Sequence, residues 1–143
     1  MAFNVLIVDD SSSMRAVIKK IVTLSGFKVD QFFEAQNGRL ALELLSRTWI
    51  DIVLSDLNMP EMGGLEMLAA MKRDNLLKDI PVIIITTEGS DERKQMVCTM
   101  GARGFIKKPF LPEKVREMLY DVLGVKDDGN YGKDQEGDSG SDF

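Results

Sequence analysis

Four short apolar runs in this chain lead into residues that can do chemistry. Val5–Val8 runs into Asp9 and Asp10, Ile50–Leu54 is followed by Asp56, Val82–Ile85 by Thr86 and Thr87, and Phe105–Ile106 by Lys107 and Lys108. If the runs are parallel strands, these groups meet on one rim, where open α/β sheets hold their ligands. Three carboxylates brought together repel by roughly 4 kcal/mol per pair at about 4 Å and an effective dielectric near 20. Such a cluster calls for a cation or for raised proton affinity. An all-oxygen donor set suits a hard ion, and a few carboxylates with room for water suit Mg2+ better than a calcium cage. A Mg2+ site completed by a hydroxyl and a lysine is equipment for handling a phosphoryl group. Asp56 is the candidate nucleophile, because it follows the third run, between the first-run acids and Thr86 and Lys108; its alternative role is that of a third metal ligand. Taken singly, each residue has a plainer reading as a helix cap or a surface charge, and only their coincidence points to a site.

Composition narrows the chemistry further. The 143 residues contain no His, which excludes Ser-His-Asp and Cys-His catalysis and removes the commonest zinc ligand. The single Cys98 excludes an intrachain disulfide, and no apolar run reaches the roughly 18 residues of a membrane span. The chain therefore reads as a soluble cytoplasmic protein with no membrane insertion. Its net charge of -5 argues against direct nucleic-acid binding. That charge is uneven: residues 125–143 carry a net -4 with four glycines, while residues 1–124 are close to neutral. Residues 1–124 are expected to form one domain, and the acidic stretch lacks the apolar content to offset the entropy of ordering it.

The elements that must position these residues alternate. Between the apolar runs, Met14, Val17, Ile18, Ile21 and Val22 fall at helical spacing, as do Val115, Met118, Leu119 and Val122; weaker helical patterns cover 38–47, 64–73 and 91–100. Five strand-helix units imply a doubly wound parallel sheet. Runs one, three and four are nearly continuously apolar, as strands buried on both faces must be. The run Val29–Phe33 includes Asp30 and Gln31, and the fifth run is short, so these two belong at the edges. The order 2-1-3-4-5 of a flavodoxin-like sheet satisfies both requirements.

The motifs Val-Asp9-Asp10-Ser-Ser-Ser-Met-Arg, Leu-Ser-Asp56-Leu-Asn58-Met-Pro60-Glu-Met-Gly63-Gly64, Ile-Thr86-Thr87-Glu and Lys107-Lys108-Pro109-Phe110 together resemble the receiver domain of bacterial two-component response regulators. The likeness spans residues 4–123. With Ser11 and Met14-Arg15 after the acid pair and a fifth helix closing the body, it is closer still to the stand-alone chemotaxis-type CheY proteins. That resemblance implies a phosphorelay switch: Asp56 would accept a phosphoryl group from a phosphohistidine on a sensor histidine kinase. Asp10 and Asp56 would hold Mg2+ directly, Asp9 largely through water, and Asn58 through its backbone carbonyl. Thr86 and Lys108 would contact the phosphoryl oxygens, with the backbone N–H groups of Leu57 and Thr87 completing the cradle. Movement of Thr86 and rotation of Phe105 would then remodel the face of helix 4, strand 5 and helix 5 for a downstream output protein. A cis Lys108-Pro109 bond and a tight loop at Gly63-Gly64 are also implied.

Departures are few. Thr87 stands where Ala or Gly is common, which should slow water's approach to the phosphoryl, and Glu88 beside it could steer that water. Leu111 is a poor helix cap, although Pro112 suits the first helical position. Met96 and Met100 fit either a core or an adaptable partner surface. The rival enzyme reading, a Mg-dependent phosphohydrolase with an Asp nucleophile, expects a second acid two residues after the first, whereas Asp9 is followed directly by Asp10 and then Ser11. A flavodoxin-like nucleotide binder using Ser11 to Ser13 would place acids against its phosphate and lacks a Gly-rich turn. A receiver that binds partners without phosphorylation, or one belonging to a longer regulator with an output domain, completes the alternatives.

Overall fold

The computed structural model describes residues 2–87 and 89–125. Most of the acidic C-terminal stretch and Glu88 lie outside the described residues, and with them the expectations placed there. Strands β1 (Phe3–Val8), β2 (Val29–Ala35), β3 (Ile52–Ser55), β4 (Val82–Thr86) and β5 (Gly104–Lys107) alternate with helices α1 (Ser12–Ser25), α2 (Gly38–Leu45), α3 (Gly64–Lys72), α4 (Asp91–Thr99) and α5 (Pro112–Leu123). All strand pairs are parallel, in the order β2-β1-β3-β4-β5. The edge placement of β2 and β5 is therefore as expected, and Asp30 and Gln31 are exposed on β2.

Alternation along the strands sorts the apolar side chains into two layers. Val5, Ile7, Ile52, Leu54, Ile83 and Ile85 face Ile18 and Val22 of α1 and Val115 and Leu119 of α5. Leu6, Val8, Val53 and Ile84 face Ala41, Met67, Leu68 and Val97 of α2, α3 and α4. Covering both faces is what continuously apolar central strands require. The expected α1 face is right for Ile18 and Val22 but not for Val17, which is 46% exposed. At 3.6 residues per turn Val17 lies roughly 100° round the helix from Ile18 and misses the sheet. Ile50 is buried but precedes β3, because Asp51 leaves the strand pattern to accept the Asn4 N–H on Oδ2 at 2.8 Å. Of the two methionines on and after α4, Met96 is exposed and Met100 packs on the core.

Local chemistry sets the helix ends nearest the rim. The Ser11 hydroxyl accepts the Met14 N–H at 3.1 Å and caps α1. Leu111 makes no side-chain cap, and Pro112 starts α5. The Lys108-Pro109 peptide is cis. Gly63 caps α3 at φ -83, and the positive φ of this loop belongs to Glu61, at 66. The glycine pair is thus not needed for left-handed backbone. Gly64 is needed for space: a Cβ there would stand 2.4 Å from the Asp56 carbonyl oxygen and 3.2 Å from Leu57 Cα.

Gly64→Ala should therefore push the α3 start away from the β3 end and cost about 1–3 kcal/mol, as overpacked sites do. Urea unfolding of the variant beside the native protein measures this, and an unchanged midpoint would contradict it.

Candidate functional site

Because β1, β3, β4 and β5 run parallel, their carboxyl ends open on one rim. Asp9 and Asp10 leave β1 there, Asp56 leaves β3, Thr86 ends β4, and Lys108 follows β5. Asp9, Asp10 and Asp56 each present a carboxylate oxygen within 4.8 Å of the others. Asp9 is 2% exposed, Asp56 is half-buried, and Asp10 is open to solvent. The site thus grades from a sealed acid to a solvated one.

Asp9 and Asp56 each have one carboxylate oxygen tied to a backbone N–H. Asp9 Oδ1 accepts the Ser11 N–H at 2.9 Å. Its Oδ2 is buried with no hydrogen-bond partner, and its nearest cation is Lys108 Nζ at 3.6 Å, beyond good hydrogen-bond range. Asp56 Oδ1 accepts the Leu57 N–H at 2.8 Å. The Asp56 backbone is pinned in turn, with its N–H on the Val8 carbonyl at 2.8 Å and its carbonyl taking the Ser55 hydroxyl at 2.8 Å. Burial pushes the Asp56 carboxyl above the ordinary aspartate value of 3.8; the Leu57 N–H and the Lys108 charge oppose the shift, and Asp9 and Asp10 add to it.

This donor set fits Mg2+. A buried carboxylate oxygen without a partner is costly unless a cation completes it. Asp9 Oδ2 faces that cost beside two more acids and only one lysine, and every donor is an oxygen, the ligand that a hard dication takes.

The other expected site residues divide by position. Thr86 is buried at 1% exposure, and its carbonyl accepts the Lys108 N–H at 2.8 Å, which ties the ends of β4 and β5 together. Lys108 keeps 12% of its side chain exposed. Thr87 and Asn58 are exposed on the rim, Leu57 is buried, and Phe105 is half-buried against the layer facing α4. Sequence reasoning assigned no role to Arg15. Its Nη1 donates to the Asp9 carbonyl at 2.6 Å and its Nε to Glu34 Oε1 at 2.8 Å. Position four of a helix capped by Ser11 was the available signal, since that position turns back toward the strand end.

Comparison with known proteins agrees with this geometry. The family model of the response regulator receiver domain matches residues 5–120. A chemotaxis protein CheY homolog of Campylobacter jejuni is 39% identical over 123 residues, covering 85% of this chain and 93% of that protein. Chemotaxis protein CheY1 of Helicobacter pylori is 40% identical over 125 residues, covering 87% and 99%. Among solved structures, the chemotaxis response regulator CheY4 of Vibrio cholerae superposes with a TM-score of 0.72 at 36% identity, covering 85% of this chain and 99% of that one.

The raised Asp56 carboxyl has a consequence for stability. A group that binds its proton more readily in the folded state contributes stability below its unfolded value and loses that contribution as pH rises through its folded value. Ionised Asp56 therefore weighs against the metal-free fold at neutral pH. Asp56→Asn should unfold at higher urea than the native protein at pH 7, with the gap closing as the pH falls through the raised Asp56 value. A gap that is absent at pH 7, or that widens in acid, would contradict the shift.

Proposed function

The chain belongs to the response regulator receiver family, of the CheY type, whose members are phosphorylation-dependent signalling switches, and on that premise we propose that Asp56 is its phosphoacceptor. The observation that carries this reading is the convergence of three carboxylates and Lys108 around one buried oxygen with no hydrogen-bond partner, Asp9 Oδ2. The donor is a phosphohistidine of a sensor histidine kinase, which suits a chain with no His of its own. An Asp56 carboxylate oxygen attacks phosphorus, the P–N bond breaks, and the imidazole nitrogen leaves with the electron pair.

Asp10, Asp56 and the backbone carbonyl of Asn58 would hold Mg2+, with Asp9 acting through water. When bound, the ion offsets the charge of the acids and of the incoming phosphoryl oxygens. Lys108 supplies a second positive charge on the same side. The Thr86 hydroxyl hydrogen-bonds a phosphoryl oxygen. The Leu57 N–H, which already faces the acceptor carboxylate, and the Thr87 N–H complete the cradle. Catalysis by the chain itself is limited to this transfer and to loss of the phosphoryl group to water.

Phosphorylation places up to about two negative charges at the rim. Thr86 is drawn toward them, Phe105 turns into the space released, and the surface of α4, β5 and α5 changes for a downstream output protein in a chemotaxis or motility pathway. Residues 1–124 form the receiver module. Among the described residues no helix is long and apolar enough to cross a membrane, in keeping with action in the cytoplasm on protein partners.

Incubation with Mg2+ and acetyl phosphate, followed by intact mass measurement, should show a gain of one phosphoryl group. Asp56→Asn or removal of Mg2+ should abolish it, and a gain unaffected by Asp56→Asn would refute the assignment. Thr87 adds bulk at the path of the attacking water, so Thr87→Ala should lose its phosphoryl group faster than the native protein in a time course; equal lifetimes would remove Thr87 from the mechanism.

A further inference from the structure

We infer that Arg15 is the positioning residue of the acid pair: its guanidinium holds the Asp9 carbonyl and so directs Asp9 and Asp10 toward Mg2+. The inference rests on the metal-binding reading above. β1 ends at Val8 and α1, capped by Ser11, begins at Ser12, so both acids sit in the connection between them. The Asp9 N–H still reaches back to β2, donating to the Ala35 carbonyl at 3.1 Å. The Asp9 carbonyl is outside the strand pairing and receives Arg15 Nη1 at 2.6 Å. That carbonyl lies in the rigid peptide plane joining Asp9 to Asp10, so its direction sets where the Asp10 side chain leaves the backbone. The Asp9 carboxylate is held separately, by the Ser11 N–H.

The clamp is itself anchored. Arg15 Nε donates to Glu34 Oε1 at 2.8 Å, and Lys19 Nζ reaches Glu34 Oε2 at 3.1 Å. These two hydrogen bonds hold the Glu34 carboxyl below the ordinary value despite some burial, so Glu34 stays ionised as an anchor on β2. The planar guanidinium donates along two edges at once, toward β2 and toward the Asp9 carbonyl, which a lysine ammonium on a flexible stem does less well. Only 12% of the Arg15 side chain is exposed, so the geometry is not loosened by free rotation into water.

The sign of the effect separates positioning from charge. Arg15 is a cation near an acidic cluster, and its charge alone opposes a dication; removing only that charge would tighten Mg2+ binding. Removing the clamp frees the peptide plane and weakens binding. Titration calorimetry of Mg2+ into the full unphosphorylated chain should show Arg15→Ala weakened by about tenfold or more, the scale of lost partners behind metal ligands. Lys20→Ala, which removes an exposed cation of the same helix that is not part of the clamp or its anchor, should bind as tightly as the native protein or slightly more so. Arg15→Lys keeps the charge and should show an intermediate loss, and it decides the matter if circular dichroism finds Arg15→Ala unfolded. Unchanged or tighter binding in Arg15→Ala, or native affinity in Arg15→Lys where the alanine variant is unfolded, overturns the inference. A native protein that binds no Mg2+ overturns the metal reading and this one together, whereas native binding with undiminished variants overturns this one alone.

Discussion

Asp9 is the constraint around which the rim is organised. A carboxylate at 2% exposure, with one oxygen lacking any hydrogen-bond partner and a lysine only at 3.6 Å, sits in a place that burial alone would forbid. Breaking or omitting the partner of a buried charge typically costs several kcal/mol, so the surrounding structure must supply compensation or require it from outside. One backbone N–H from Ser11 supplies part. The remainder is left to cations: Lys108 on one side and, in the proposed active form, Mg2+. Asp56 is under milder pressure of the same kind, and its raised proton affinity is the local sign of it.

Holding like charges together demands rigid attachment, and the topology provides it. β1 and β3 are neighbours at the centre of the sheet, each hydrogen-bonded on both sides. Asp9 and Asp56 follow directly from these two strands, and each is still tied to a neighbouring strand by its own N–H, through Ala35 and Val8 respectively. Beneath them, strand residues such as Leu6, Ile7, Val53 and Leu54 are at most 1% exposed, so the strand ends cannot retreat from one another without opening the core. Electrostatic strain at the rim is thus borne by packing beneath it. The tight approach of Gly64 to the Asp56 carbonyl serves the same end by seating α3 directly against the end of β3.

Much of this was legible in the sequence because the relevant signals are local. Polar residues at 30 and 31 mark an edge strand, and continuous apolar runs mark central ones, so the sheet order followed from composition together with the rules of doubly wound folds. The rim followed from what stands immediately after each run. Signals that depend on orientation or distance were less legible. Val17 fits the helical spacing yet faces water, since spacing defines a stripe only to within about a turn's quarter. The glycine pair reads as turn chemistry, but its purpose is clearance between two backbones that meet only in the fold. Arg15, on α1, depends on Glu34, nineteen residues away on β2, and no periodicity encodes that meeting.

The same sheet that fixes the acids places Thr86 and Phe105, the residues proposed to respond, toward its β5 edge. Thr86 closes β4 and pairs with Lys107 of β5, and Phe105 pairs with Ile84 two residues below. β5 is an edge strand with a single neighbour, so it can shift at the cost of one ladder, whereas β1 and β3 would each have to break two. Lys107 also lies over Gly89 in the connection from β4 to α4, where a Cβ would stand 2.3 Å from its Cδ. Gly89 and β5 thus meet through the Lys107 side chain, without a relay across the core. Charge arriving at Asp56 would meet an immobile side made of β1 and β3 and, across the doubly paired β4, a freer edge at β5. The asymmetry of the strand order thus gives the proposed switch its direction: the work of a phosphoryl group on Asp56 would be released toward the edge of the sheet, where a partner could reach it.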